Sequence, residues 1–331
     1  MFSYPNISII KDFILDPKVI AEDALAIIEK NNLSIKINYS DTDPSDSHKP
    51  VMVLIHGNSA SKKVFDEHIK YFASDYRVIA LDLLGHGLST KLGELENIAV
   101  DEKDKLCAAF YNPLAMMAEV ASLLQSLQLK SVHLVGWSLG GHIAYGVAAL
   151  NPELVASILT IGSPPVKFCH EGMKKGFSEW FVNVLLPEWI NTPTKTSLND
   201  ARGVAVHIGF TGKDIEIFAQ DMVISDPQMR KYLFKNSEEY NSEKYSGTPL
   251  DAAKFLRETN MPVRMMVGEN DVGISASCIA EAAKEMRHSL SAAHVVKGAS
   301  HAVFKTHEEM FREEVRMFIE SARASRKVEF K

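Results

Sequence analysis

Three short stretches hold residue types that work together in acyl transfer. GWSLGG, residues 136–141, sets Ser138 between Gly136 and Gly140, with Gly141 directly behind. A serine hydroxyl is a poor nucleophile unless a base takes its proton. GASHAVF, residues 298–304, supplies that base as His301. GENDVGIS, residues 268–275, supplies an acid to orient the base, Asp271, with Glu269 as a second carboxylate two positions earlier. The chain order serine, acid, histidine is the order expected when the nucleophile sits on a strand-to-helix elbow. The G-x-S-x-G spacing alone decides little, because ordinary glycine and serine usage produces it in about one chain in ten of this length. The elements around each residue must decide.

For Ser138 they agree. VHLVG, residues 132–136, reads as a buried strand, and LGGHIAYGVAAL, residues 139–150, as a helix rich in small residues. A sharp turn between them strains the backbone at the nucleophile and crowds the positions two before and two after it. Both are glycines, with no Cβ to clash. The new helix also aims its first N–H groups at the site, which favours developing negative charge. Asp271 follows the strand pattern VRMMVG (263–268) and His301 follows AHVVKG (293–298), so both fall on loops at strand ends. An acyl-transfer intermediate needs donors for its oxyanion. The Leu139 N–H is one candidate. The other comes from VLIHGNSASKKVF (53–65), where Gly57 lets the chain turn and Asn58 offers a backbone and a side-chain donor. His56 reads as a brace for that loop. DLLGHGLS (82–89), with Asp82, Gly85, Gly87 and Ser89, reads as a supporting turn. His142 reads as a brace between neighbouring loops.

The wider pattern alternates. Short apolar runs at 51–55, 77–82, 132–136, 157–162, 263–268 and 293–298 predict strands covered on both faces. Helical patterns at 62–74, 114–128, 139–150, 275–287 and 307–323 lie between them, so the sheet is expected to be mainly parallel, with helices on both faces. An alternating strand is expected at 33–39. DPKVIAEDALAIIEK (16–30) predicts a helix, with Asp16 as cap and Pro17 in the first turn. From 164 to 249 the alternation stops. Phe177, Trp180, Phe181, Val184 and Leu185 keep helical spacing up to Pro187. The expected organisation is a helical extension over 1–32, a core over 33–163 and 250–331, and a mostly helical cap over 164–249.

The chain has 331 residues, of which 46% are apolar, and 36 basic against 42 acidic residues give a net charge of -6. That balance gives no electrostatic reason to expect nucleic acid or an anionic membrane as partner. Cys107, Cys169 and Cys278 are widely spaced with no CxxC pair, so free thiols in a reducing compartment are expected. Lys11 and Asp12 interrupt the first apolar stretch, no basic region precedes it, and no run reaches the ~20 apolar residues of a membrane helix. The expectation is a soluble, cytoplasmic protein without a secretory leader.

Taken together, HGN, DLLGHGLS, GWSLGG, the late GEND and the terminal GASH resemble the α/β-hydrolase superfamily. HGNSAS, GWSLGGHI and GSPPV look most like the bacterial N-acylhomoserine lactonases of that fold. The resemblance covers roughly 33–163 and 250–325. It implies Ser138 as nucleophile, His301 as base, Asp271 as acid, and Asn58 with Leu139 at the oxyanion. It implies no metal and no organic cofactor. A serine at the elbow, where dehalogenases and epoxide hydrolases carry aspartate, points to a metal-independent hydrolase of esters or lactones. The expected partner is a small ester or lactone with an apolar acyl group, an N-acylhomoserine lactone first among them. A general carboxylesterase, a C–C bond hydrolase and a non-catalytic ligand-binding relative are the alternatives.

Overall fold

The computed structural model describes residues 6–8, 22–43, 48–191, 194–235 and 251–329. Among the described residues, eight strands form one sheet: β1 (Asn6–Ser8), β2 (Lys36–Asp41), β3 (Val51–Ile55), β4 (Arg77–Asp82), β5 (Val132–Trp137), β6 (Val155–Ile161), β7 (Val263–Gly268) and β8 (Ala292–Val296). Their spatial order is β1-β2-β4-β3-β5-β6-β7-β8. β2 pairs antiparallel with β1 and β4, and every other pairing is parallel. The strand predictions at 51–55, 77–82 and 263–268 coincide with β3, β4 and β7. β1 has no counterpart among them, because three residues carry too little periodicity to show.

Each central strand feeds two cores. In β3, Val53 and Ile55 join one apolar cluster and Met52 and Leu54 the other. On the first face lie helices α1 (Glu22–Lys30), α3 (Val100–Phe110), α4 (Pro113–Ser126) and α5 (Leu139–Leu150); on the other lie α2 (Asp66–Phe72) and the C-terminal α14 (Glu308–Glu329). Alternation buried on both sides explains why these strands read as continuous apolar runs. In α1, Ala24, Ile27 and Ile28 are buried in the first cluster. The predicted start of that helix, 16–21, lies outside the described residues. α3 is a helix that the periodicity does not suggest; its charged VDEKDK start hides an apolar side made of Leu106, Cys107 and Phe110.

Between β6 and β7 the described residues form helices: α6 (His170–Gly176), a π-helical turn at Phe181–Leu185, α7 (Leu186–Asn191), α8 (Leu198–His207), α9 (Lys213–Ile224) and α10 (Pro227–Lys235). Lys167 bridges Asp251, so the two ends of this excursion meet. Residues 236–250, the end of the expected cap, lie outside the described residues. α11 (Ala252–Glu258) returns to the sheet. α12 (Ala276–Ala283) follows β7, and the short α13 (Val303–Thr306) follows the His301 loop. Among the described residues no single helix is long and apolar enough to cross a membrane. All three cysteines are free, Cys107 and Cys169 buried.

Candidate active site

Ser138 occupies the junction of β5 and α5 with φ 53° and ψ −116°. A non-glycine residue pays strain in that region, and such strain persists only where its surroundings enforce it. The surroundings here are close-packed backbone. A Cβ on Gly136 would lie 2.3 Å from the Gly140 carbonyl oxygen, and one on Gly140 would lie 2.2 Å from that of Ile55. The Ser138 N–H donates to the Ile161 carbonyl at 2.8 Å, which locks the turn to β6. β5 is flanked by β3 and β6, so the loops after all three strands open on one edge of the sheet, where open α/β sheets bind ligands.

The structure brings Asp271 and His301 together on that edge. His301 Nδ1 donates to Asp271 Oδ2 at 2.8 Å, and the Asp271 side chain is fully buried. Its other oxygen accepts the N–H groups of Gly273 and Ile274 at 2.9 and 3.0 Å. Donors on both oxygens therefore fix this carboxylate in one orientation. Glu269, the alternative acid, is exposed and accepts the Gly298 N–H instead, at 3.0 Å. Trp137 holds the histidine loop from below, its indole N–H donating to the His301 carbonyl at 3.1 Å. Gly162 completes the nest with φ +55°, and a Cβ there would stand 2.7 Å from His301 Nδ1.

Ser138, His301, Asn58 and Leu139 all line one pocket of about 740 Å³, part of it open to solvent. No hydrogen bond joins Ser138 to His301 in this state. Such contacts are often long in ligand-free enzymes and tighten with substrate. The rest of the wall is largely aromatic and aliphatic, with Phe168, Phe177, Phe181, Trp189 and Phe234 contributed by the helical excursion. The π-helical turn carries Phe181 and Leu185 into this wall. Leu139 is the first residue of α5, where backbone N–H groups have no intrahelical partner.

A polar relay with no signature in the sequence ends at Asn58. Arg230 of α10, only 2% exposed, donates from a guanidinium nitrogen to Ser59 Oγ at 3.2 Å. Ser59 in turn donates to Asn58 Oδ1 at 2.8 Å. Its acceptor occupied, Asn58 keeps a buried Nδ2 with no partner. Ser59 adopts φ +61°, a second strained residue beside the site. A lone arginine far along the chain carries no local signal that it ends at this loop.

His56 donates from Nδ1 to the Gly57 carbonyl and accepts the Leu83 N–H at Nε2. Burial pushes its pKa down to about 4, so it is a neutral brace between the Asn58 loop and β4. Asp82 accepts the backbone N–H groups of Lys62 and Leu88 and pairs with the Lys62 ammonium at 2.8 Å. Its loop is tight: a Cβ on Gly87 would lie 2.4 Å from Asp82 Cγ. His142 lines the pocket, 5% exposed, with its Nε2 buried without a partner. Among the described residues no group of three or more His, Cys, Asp or Glu side chains is placed to hold a metal ion.

A strand–Ser138–helix elbow at the edge of a mostly parallel sheet, with a buried Asp–His pair on the later loops, defines a class of fold. The sequence model of the α/β hydrolase fold matches residues 50–308, and the chain belongs to that family. The chain is 30% identical to mouse (Mus musculus) epoxide hydrolase 4 over 116 residues, a match spanning 35% of this chain but only 29% of that protein. It is 27% identical over 272 residues to the pimeloyl-[acyl-carrier protein] methyl ester esterase of Aliivibrio fischeri (strain ATCC 700601 / ES114), covering 81% of this chain and 93% of that one. Among solved structures it is similar to a mutant of N-acyl homoserine lactonase AidH complexed with N-hexanoyl homoserine, with a TM-score of 0.71, 20% identity, and coverage of 97% of this chain and 98% of that one. At that identity the likeness is one of fold.

Proposed function

We propose that this protein is a serine hydrolase that opens N-acylhomoserine lactones. The observation that carries the reading is the meeting of Ser138, at a strained elbow, and the Asp271–His301 pair on one apolar pocket. Residues 164–249 act as a cap over the core of 33–163 and 250–331, with 1–32 as an N-terminal extension. In this mechanism Ser138 Oγ attacks the ring carbonyl while His301 Nε2 takes its proton. Asp271 keeps the Nδ1 proton in place and stabilises the imidazolium. The Leu139 N–H and Asn58 hold the oxyanion. The ring oxygen leaves with the proton from His301, giving an acyl-enzyme whose hydroxyl is part of the same chain. Water, deprotonated by His301, then releases the open N-acylhomoserine. The aromatic wall takes the acyl chain.

The Aliivibrio fischeri relative is a methyl ester esterase by name and covers most of this chain, which favours a linear ester as the second reading. A panel of lactones and matched linear esters separates the two. Preferential lactone opening supports the first, and turnover of linear esters alone supports the second.

A further inference from the structure

His142 stands one helical turn beyond Ser138 on α5. Ser138 itself is the N-cap, with non-helical φ 53° and ψ −116°, and the two residues line the same pocket. The imidazole is stacked on Phe177, with ring centroids 6.1 Å apart and planes 10° apart, and meets Phe168 edge-on at 5.6 Å. It is thus held in an aromatic wall, almost fully buried, with its Nε2 buried and without a hydrogen-bond partner. A buried polar group left without a partner is costly, and natural cores rarely keep one. Phenylalanine would fill this space at no such cost.

The geometry points to a substrate role: we propose that His142 is the specificity residue of this pocket, recognising an amide a few bonds from the scissile carbonyl. Burial pushes its pKa down to about 4, so the ring is neutral at working pH, with one N–H donor and one lone-pair acceptor. An amide can meet the unpartnered Nε2 with its N–H or its C=O, according to the tautomer of the ring. Because His142 lines the same pocket as Ser138, such an amide would sit beside the carbonyl that Ser138 attacks, as an acylamino group on the next carbon does. A site built to hydrogen-bond a substrate group discriminates strongly against analogues that lack it. The inference rests on the proposed function for its choice of lactone, but the amide preference holds for linear esters as well.

The test measures binding, so that it does not depend on turnover. The Ser138→Ala protein is titrated with N-hexanoylhomoserine lactone, α-hexyl-γ-butyrolactone, N-hexanoylglycine methyl ester and methyl nonanoate. Quenching of the three pocket tryptophans, Trp137, Trp180 and Trp189, reports binding. Adding His142→Phe should weaken both amide ligands by roughly 10- to 100-fold and leave the two amide-free ligands within about threefold. His142→Asn, which keeps a donor and an acceptor, should recover part of the loss. Equal weakening of all four ligands, no weakening, or no binding of either amide ligand overturns the inference. Whether lactones are opened by the wild-type protein is read separately. Loss of amide affinity with lactones left intact would retain His142 and reject the lactonase reading.

Discussion

At the scale of single residues, the proposed mechanism gives the acid role to Asp271. Its two oxygens are fully committed, one to His301 and one to two backbone N–H groups. An asparagine in its place cannot hold the imidazole in the same tautomer or stabilise its charged form. The precedent for that change in a serine triad is a loss of roughly 10⁴ in kcat. Asp271→Asn should therefore reduce kcat by several orders of magnitude. Glu269→Gln, which alters only an exposed contact to the Gly298 N–H, should leave it nearly unchanged. Steady-state kinetics of the two variants checks this, and a larger loss in Glu269→Gln would move the acid role to Glu269. Both carboxylates stand out in the sequence as rivals two residues apart. The choice between them depends on which one the turn after β7 tucks under His301, and no local pattern encodes that.

At the scale of elements, the site is a meeting of loops held by backbone packing and one relay from the helical excursion. Arg230 on α10 reaches the Asn58 loop through Ser59, which fixes the Asn58 amide with its N–H₂ unpartnered. Ser59→Ala should free that amide and lower kcat/KM by about fivefold, the worth of one ordinary hydrogen bond, and should also lower the melting temperature because buried Arg230 loses a partner. An unchanged rate would show that Asn58 is held by other means. The elbow is legible in the sequence because strand, glycines and helix each leave a periodic signature. The parallel strands are legible for the same reason. The relay is not, because Ser59 and Arg230 are 171 positions apart and Arg230 stands in no motif that would tie it to HGNSAS. β1 and α3 escape on other grounds, the one too short and the other too charged at its start.

At the scale of the whole molecule, buried histidines tie stability to pH. Burial lowers the pKa of His56 and His142 to about 4, of His68 and His133 to about 3, and of His86 well below its usual range. In the unfolded chain each titrates near ~6.5, so below that pH the unfolded state binds more protons. The stability they support is present above about pH 6.5 and is lost as pH falls toward their folded values. Glu119 and Asp221 oppose this, since burial raises both, Asp221 to about 6; their cost develops as pH rises through the carboxylate range. The histidines are the more numerous, so the melting temperature should fall between pH 7 and pH 5. A flat or rising profile would mean that the carboxyls dominate. The central claim, lactone opening by Ser138, is tested most directly by mass spectrometry of N-hexanoylhomoserine lactone after incubation with wild-type and Ser138→Ala protein. The expected product gains one water with its amide uncut and forms equally with EDTA present, and its rate of formation should fall by about 10⁶ in Ser138→Ala. Across a series of acyl lengths, kcat/KM should rise by up to about fourfold for each added CH₂ until the pocket is full. Intact lactone alongside rapid cleavage of short linear esters, or ring opening that persists in Ser138→Ala, would contradict it.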